Sequence, residues 1–74
     1  MHVQIVLDDT GDTRHEFDPA DASAVAAAEA MFRELTGKGF RAVAPGPNGD
    51  AGKIVRAFDL KSEQVLFIPQ LQGG

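Results

Sequence analysis

Two adjacent glycines, Gly73 and Gly74, close the sequence and are the residues whose type and position best suit a chemical reaction. A terminal carboxylate is unreactive until it becomes an acyl-adenylate, and for that it must enter the narrow cleft of an activating enzyme. Residues without a side chain let the backbone approach such a cleft closely. Residues 70–74 can extend about 17 Å beyond Pro69, at roughly 3.3–3.6 Å per residue. An activated Gly74 carboxylate is the functional interpretation of this pattern and a passive tail is the alternative; the expected fold, described below, favours the first.

Other residues that could support chemistry do not form a catalytic or metal-binding pattern. His2 and His15 lack a third ligand at suitable spacing, and the chain has no cysteine. The acidic group Asp8, Asp9 and Asp12 lacks the spacing and the distal glutamate of a calcium-binding loop, so a solvated turn is the better interpretation. No nucleophile–base–acid set and no phosphate-binding loop is recognisable in the sequence. We expect a protein that binds no cofactor or metal and is itself not an enzyme but a substrate of enzymes.

Length, composition and charge narrow the class of protein further. A chain of 74 residues has room for one small core, and an apolar fraction of 43% argues against intrinsic disorder. The net charge of −4, with the basic residues scattered along the sequence, argues against nucleic acid or an anionic membrane as a partner. The sequence shows neither a signal-peptide pattern nor an apolar stretch of about 20 residues. We expect a soluble, cytoplasmic monomer.

Alternating apolar residues and turn signals predict five strands and one helix. Asp18 is expected to cap the helix, with Pro19 in its first turn, and Gly37 is expected to end it in a left-handed conformation. Pro69 is expected to end the last strand or to place that strand near an edge of the sheet. The predicted strands are 1–7, 13–17, 40–44, 54–58 and 65–68, and the predicted helix is 22–36.

The order β-β-α-β-β-β predicts an α+β domain over residues 1–69, followed by a flexible tail over residues 70–74. One helix cannot bury its apolar stripe alone, so it must pack across one face of a mixed sheet. The simplest solution makes the first and last strands central and parallel, which is the β-grasp arrangement. A ferredoxin-like fragment, a small open barrel and a swapped dimer remain alternatives, although the first of these needs a second helix. The expected core joins a helix stripe of Val25, Ala28, Phe32 and Leu35 to Val3, Ile5, Phe17, Val65 and Phe67.

The sheet face away from the helix is expected to carry an apolar patch. Strand alternation sends every second side chain to that face. An apolar cluster on the open face of a small sheet marks a surface for a partner. A register shift by one residue would instead bury the same side chains. The expected patch comprises Val43, Leu66 and Ile68, with Leu71 just beyond them on the tail.

The end of the chain, Val65–Gly74, combines an apolar strand, a proline and a Gly-Gly pair. In this it resembles the small sulfur-carrier proteins of thiamin and molybdopterin synthesis. Leu71, two positions before the first of the two glycines, resembles the tail leucine of ubiquitin. Arg41–Gly46 resembles the third strand of ubiquitin. The resemblance covers almost the whole chain in length and element order. Gln70 and Gln72 depart from it, because arginines flank the tail leucine in ubiquitin.

This resemblance implies a ubiquitin-like carrier whose Gly74 carboxylate is adenylated by an E1-like enzyme that uses ATP. As a protein modifier, the carrier would pass through a thioester to target lysines, with an E2-like enzyme and a deconjugating protease as further partners. As a sulfur carrier, it would instead form a thiocarboxylate for cofactor or thionucleoside synthesis. A third function, from another class, is a non-covalent adaptor that binds through its sheet face. The neutral Gln70 and Gln72 imply an activating enzyme other than that of ubiquitin.

Overall fold

The computed structural model describes residues 1–46 and 52–70, which form a mixed sheet with one helix packed on one face. The elements are β1 (His2–Asp8), β2 (Gly11–Phe17), α1 (Ala22–Gly37), β3 (Phe40–Ala44), β4 (Lys53–Ile54) and β5 (Gln64–Pro69). The sheet order is β2-β1-β5-β3-β4, with β1 and β5 parallel and the other neighbours antiparallel. The predicted element order and the parallel pairing of the first and last strands are confirmed. The arrangement is consistent with a β-grasp-like fold.

A tight hairpin joins β1 to β2, and the Asp8 side chain closes its turn. Asp8 Oδ1 accepts hydrogen bonds from the Thr10 hydroxyl at 2.6 Å and from the Thr10 backbone N–H at 2.9 Å. These bonds, the hydroxyl bond foremost, hold the pKa of Asp8 below its ordinary value of 3.8 because they favour the carboxylate. Strand pairing resumes already at Gly11, so β2 begins earlier than the predicted residue 13.

Helix α1 begins at residue 22 as predicted, but its cap is Asp21 and not Asp18. Asp21 has an extended backbone, and its carboxylate accepts hydrogen bonds from the N–H groups of Ser23 (3.0 Å) and Ala24 (3.3 Å). The Asp18 carboxylate instead accepts from the N–H of Ala20 at 2.9 Å, within the turn that precedes the helix. Both aspartates suit a cap by residue type, so the sequence alone does not decide between them.

The two aspartates give a matched test of this assignment. Asp21→Ala is expected to lower the free energy of unfolding by about 1 kcal/mol, because two helix N–H groups lose their acceptor. Asp18→Ala, which changes the net charge equally but frees one loop N–H, is expected to cost clearly less. Urea unfolding of both variants measures the difference. A loss in Asp18→Ala that equals or exceeds the loss in Asp21→Ala would contradict the assignment.

The helix ends one residue later than predicted, since Gly37 is still helical. Lys38 is the C-cap, with its N–H shared between the carbonyl oxygens of Glu34 and Leu35, both at 3.1 Å. The left-handed residue is Gly39, with φ +103°, and its N–H donates to the Thr36 carbonyl oxygen at 3.2 Å. β3 therefore starts at Phe40, and only Lys38 and Gly39 separate it from the helix.

Phe67 lies at the centre of the core and is fully buried on β5, the middle strand of the sheet. Its ring stands edge to face against Phe32 of α1, with 5.7 Å between the ring centroids. Phe32 meets Phe58 in the same manner at 6.1 Å, and Val65 and Ala42 complete the buried cluster. The predicted contact of Phe32 with Phe67 between helix and sheet is confirmed.

The prediction of which β1 side chains face the helix is wrong. The register aligns Gln4 with Val65 and Ile5 with Leu66. Residues paired across neighbouring strands project to the same face, and Val65 faces the helix. Gln4 therefore faces α1, whereas Val3 and Ile5, which were expected to pack on the helix, lie on the opposite face.

Gln4 takes this inward position because its amide finds a partner there. The Gln4 side chain is 3% exposed, and Nε2 donates to the carbonyl oxygen of Ala28 at 3.1 Å. A buried polar group with a hydrogen bond avoids most of the cost of leaving water. The small Ala28 side chain, itself buried, leaves room for this contact between helix and sheet.

β4 is much shorter than the predicted strand over residues 54–58. Its antiparallel pairing with β3 joins Ile54 to Val43 and Lys53 to Ala44. One further backbone bond, from the Val55 N–H to the Ala42 carbonyl oxygen at 2.8 Å, ends the contact. The chain then leaves the edge of the sheet, which brings Phe58 over the core against Phe32.

Candidate functional site

The sheet face opposite α1 carries an apolar row that crosses four strands. Ile54 on β4 pairs with Val43 on β3, Val43 pairs with Leu66 on β5, and Leu66 pairs with Ile5 on β1. These four side chains project to one face because they are neighbours in register. We call Ile54, Val43, Leu66 and Ile5 the apolar row. It contains two of the predicted patch residues, Val43 and Leu66, side by side.

Exposure rises along the apolar row from one end to the other. Ile5 is 5% exposed, Leu66 and Val43 are half-buried, and Ile54 is 52% exposed. Ile5 is buried although no helix covers this face, and its neighbours in register are Leu66 on β5 and Arg14 on β2. The part of the row that a partner could contact is therefore its β3–β4 end.

Ile68 extends the apolar surface by one pleat. It lies two residues beyond Leu66 on β5, on the same face, and it is 39% exposed. Its neighbour in register is Arg41 on β3. The structure thus places Val43, Leu66 and Ile68 together on the predicted face. Leu71, Gly73 and Gly74, the other predicted site residues, lie outside the described residues.

Sequence reasoning missed Ile5 and Ile54 as members of this surface. The signal for Ile54 was present, because it is the apolar residue of a short edge strand. Ile5 was assigned to the core because Val3, Ile5 and Leu7 form the more apolar face of β1, opposite His2, Gln4 and Val6. Only the pairing of Ile5 with Leu66 decides between the two faces.

Charged side chains of both signs surround the apolar surface. On β2, Asp12, Arg14 and Glu16 alternate with residues of the helix face and pair with β1 residues of the open face. Arg41 adds a second positive charge beside Ile68. This mixture gives the face no field of a single sign, so apolar contact and local ion pairs would decide which partner fits.

Grooves elsewhere on the described surface do not assemble a reactive group of side chains. The groove between α1 and β2, of about 240 Å³, is lined by three alanines and Met31 of the helix and by Gln4, His15, Glu16 and Phe17 of the strands. Among the described residues, no three histidine or acidic side chains come close enough to hold a metal ion. Within these same ranges, no helix combines the length and apolar character needed to cross a lipid bilayer.

Comparisons with known proteins leave the family open. A scan against protein-family models found no match, and searches of curated proteins and of solved structures found none either.

Proposed function

We propose that this protein is a β-grasp carrier of the ubiquitin-like kind, activated through the carboxylate of Gly74. The observation that carries the proposal is the course of β5, the central strand, which leads through Pro69 directly into the segment that ends in Gly73 and Gly74. A rigid middle strand gives the tail a fixed point of departure. The proposal requires a free Gly74 carboxylate, whether encoded as such or left by cleavage of a longer precursor.

The chemistry falls to enzymes that act on the tail. The Gly74 carboxylate attacks the α-phosphorus of ATP, and pyrophosphate leaves. In the modifier function, a cysteine thiolate of the activating enzyme attacks the acyl carbon and AMP leaves. An amine of a target lysine then attacks the thioester, the thiolate leaves, and an isopeptide bond is formed. The carrier supplies only the acyl group and the surface by which it is held.

The sulfur-carrier function shares the adenylate and differs in the next nucleophile. With hydrosulfide as the simplest donor, sulfur attacks the acyl carbon and AMP leaves, which gives a thiocarboxylate on Gly74. Pro69 ahead of the glycines favours this alternative, because the resemblance to the sulfur carriers includes it. ATP is consumed by the activating enzyme in both functions.

Mass spectrometry separates the two functions. A thiocarboxylate changes the intact mass by the difference between sulfur and oxygen. A conjugate appears after trypsin digestion as a target lysine that carries Ser62–Gly74, because Lys61 is the last trypsin site before the glycines. A search for a Gly-Gly remnant alone would miss it. If neither product forms in the source organism, the carrier proposal is wrong.

The adaptor function rests on the apolar surface alone, and a charge substitution tests what that surface does. Ile68→Asp is expected to weaken binding to the activating enzyme about tenfold or more, because it places a charge against an apolar contact. Leu60→Asp is the matched control, since Leu60 is 41% exposed but lies outside the apolar row. Both variants should remain folded, because surface changes usually shift stability by about 0.5 kcal/mol or less.

Titration of the activating enzyme with the two folded variants checks this expectation. Equal affinities would show that the sheet face does not bind the activating enzyme. Leu66→Asp is a poorer probe than its sequence position suggested, because Leu66 is half-buried between Val43 and Ile5. An adaptor would lose partner binding in Ile68→Asp yet keep it after removal of Gly73 and Gly74, which distinguishes it from a carrier.

A further inference from the structure

Pro69 is the last residue of β5, the middle strand of the sheet, which is an unusual place for a proline. Within sheets, proline is confined to edge strands, to the first residue of a strand or to bulges, since it has no N–H to donate. β5 has β1 on one side and β3 on the other. The missing N–H of Pro69 must therefore face one of these two neighbours.

The register identifies β1 as that neighbour. The Val3 N–H donates to the Glu63 carbonyl oxygen at 2.9 Å, which sets the start of the parallel ladder. Parallel ladders then repeat in steps of two residues along both strands. Continuing these steps brings the nitrogen of Pro69 opposite the carbonyl oxygen of Leu7. An N–H at position 69 would add one more bond to the ladder, and proline removes it.

The pairing of β5 with its other neighbour, β3, also reaches its last residue pair at Pro69, but for a different reason. Phe40, its first residue, pairs with Pro69. The preceding residue, Gly39, has φ +103° and donates its N–H to the Thr36 carbonyl oxygen at 3.2 Å. Because this N–H is already bonded within the helix cap, Gly39 cannot donate it to the Gln70 carbonyl oxygen. Each flank of the middle strand therefore lacks a donor where β5 ends, at Pro69 on the side of β1 and at Gly39 on the side of β3.

We propose that Pro69, together with Gly39, fixes the boundary between sheet and tail, and that Pro69 is a positioning residue for the activation of Gly74. This inference rests on the proposed carrier function. Each residue drawn into the ladder would shorten the reach of the tail by about 3.3 Å. A tail that starts at a fixed residue keeps its length available for the cleft of the activating enzyme.

The boundary is tested first without any partner. Pro69→Ala restores an N–H opposite the Leu7 carbonyl oxygen, and amide hydrogen exchange followed by NMR reads its protection. We expect exchange at position 69 to be about tenfold slower than that of an unprotected amide in the same sequence, because the new amide joins the ladder. Exchange at the rate of an unprotected amide would overturn the assignment of Pro69 as a stop.

The role in activation is tested with the activating enzyme of the source organism. In Pro69→Ala, the KM for the carrier is expected to rise about fivefold with kcat unchanged, because the ladder bond must open before the tail is bound. A Gly-Ser pair inserted after Gln70 in the same variant is expected to restore KM, since it returns the lost reach. An unchanged KM, or no rescue, would overturn the positioning role. A wild-type chain that is not adenylated at all would instead overturn the carrier function, while the exchange result still decides whether Pro69 is a stop.

Discussion

Phe67→Ala is expected to lower the free energy of unfolding by about 3–5 kcal/mol. Phe67 is fully buried on the middle strand, and its ring contacts Phe32, which in turn contacts Phe58. Truncation leaves a cavity that neither the sheet nor the helix can close, because the neighbouring aromatic rings are held by one another. Domains of this size have a total stability near the lower end of about 5–15 kcal/mol. The variant should therefore unfold at a much lower denaturant concentration.

Phe17→Ala is the matched control for this change. Phe17 carries the same side chain but lies half-buried near the edge, 6.4 Å from Phe58 and 5.6 Å from the ring of His2. Its truncation removes less buried area, so the loss should be less than half that of Phe67→Ala. Urea unfolding of the three proteins compares the losses. A Phe67→Ala variant as stable as Phe17→Ala would show that the core lies elsewhere.

Deletion of Gly73 and Gly74 is expected to abolish activation while leaving the fold intact. The hydrogen bonds and packing described above hold helix and sheet together without these two residues, which have no side chains to bury. Terminal residues outside the packed core contribute little to stability. The melting temperature should therefore stay within about 1 °C of the wild type. The adenylated product should be lost completely, because the reacting carboxylate is displaced by two residues.

Gly74→Ala is the control that separates tail length from the need for glycine. It keeps the carboxylate at its place and adds one methyl group near the reacting carbon. Activation should fall steeply if the cleft admits only a bare backbone. Full activity in Gly74→Ala together with none in the deletion would assign the requirement to length. Activity in the deletion variant would contradict the carrier function altogether.

The sequence predicted the element order correctly because its patterns are local. The alternation of β1 and β5, and the helical spacing of Ala28 and Phe32, depend only on neighbours in the chain. The parallel contact of β1 with β5 then follows from the need of one helix to cover one sheet. These features can therefore be predicted from the sequence alone.

The errors arose where contacts distant in sequence overrode or decided a local pattern. Val3, Ile5 and Leu7 form the more apolar face of β1, yet the face with Gln4 turns to the helix, and the hydrogen bond from Gln4 to Ala28 joins residues far apart in sequence. Asp18 and Asp21 both suit a helix cap, and the turn between them decides. The alternation of β1 therefore hid Ile5 from the predicted surface, whereas Val43, Leu66 and Ile68 were placed correctly on the open face.

The most direct test of the carrier function is ATP–pyrophosphate exchange by the E1-like enzyme of the source organism in the presence of this protein. Radioactive pyrophosphate enters ATP only if a carboxylate is reversibly adenylated. We expect exchange that saturates with the wild-type chain and is absent with the chain that lacks Gly73 and Gly74. Exchange that is equal for both chains, or absent for both, would contradict the function proposed here.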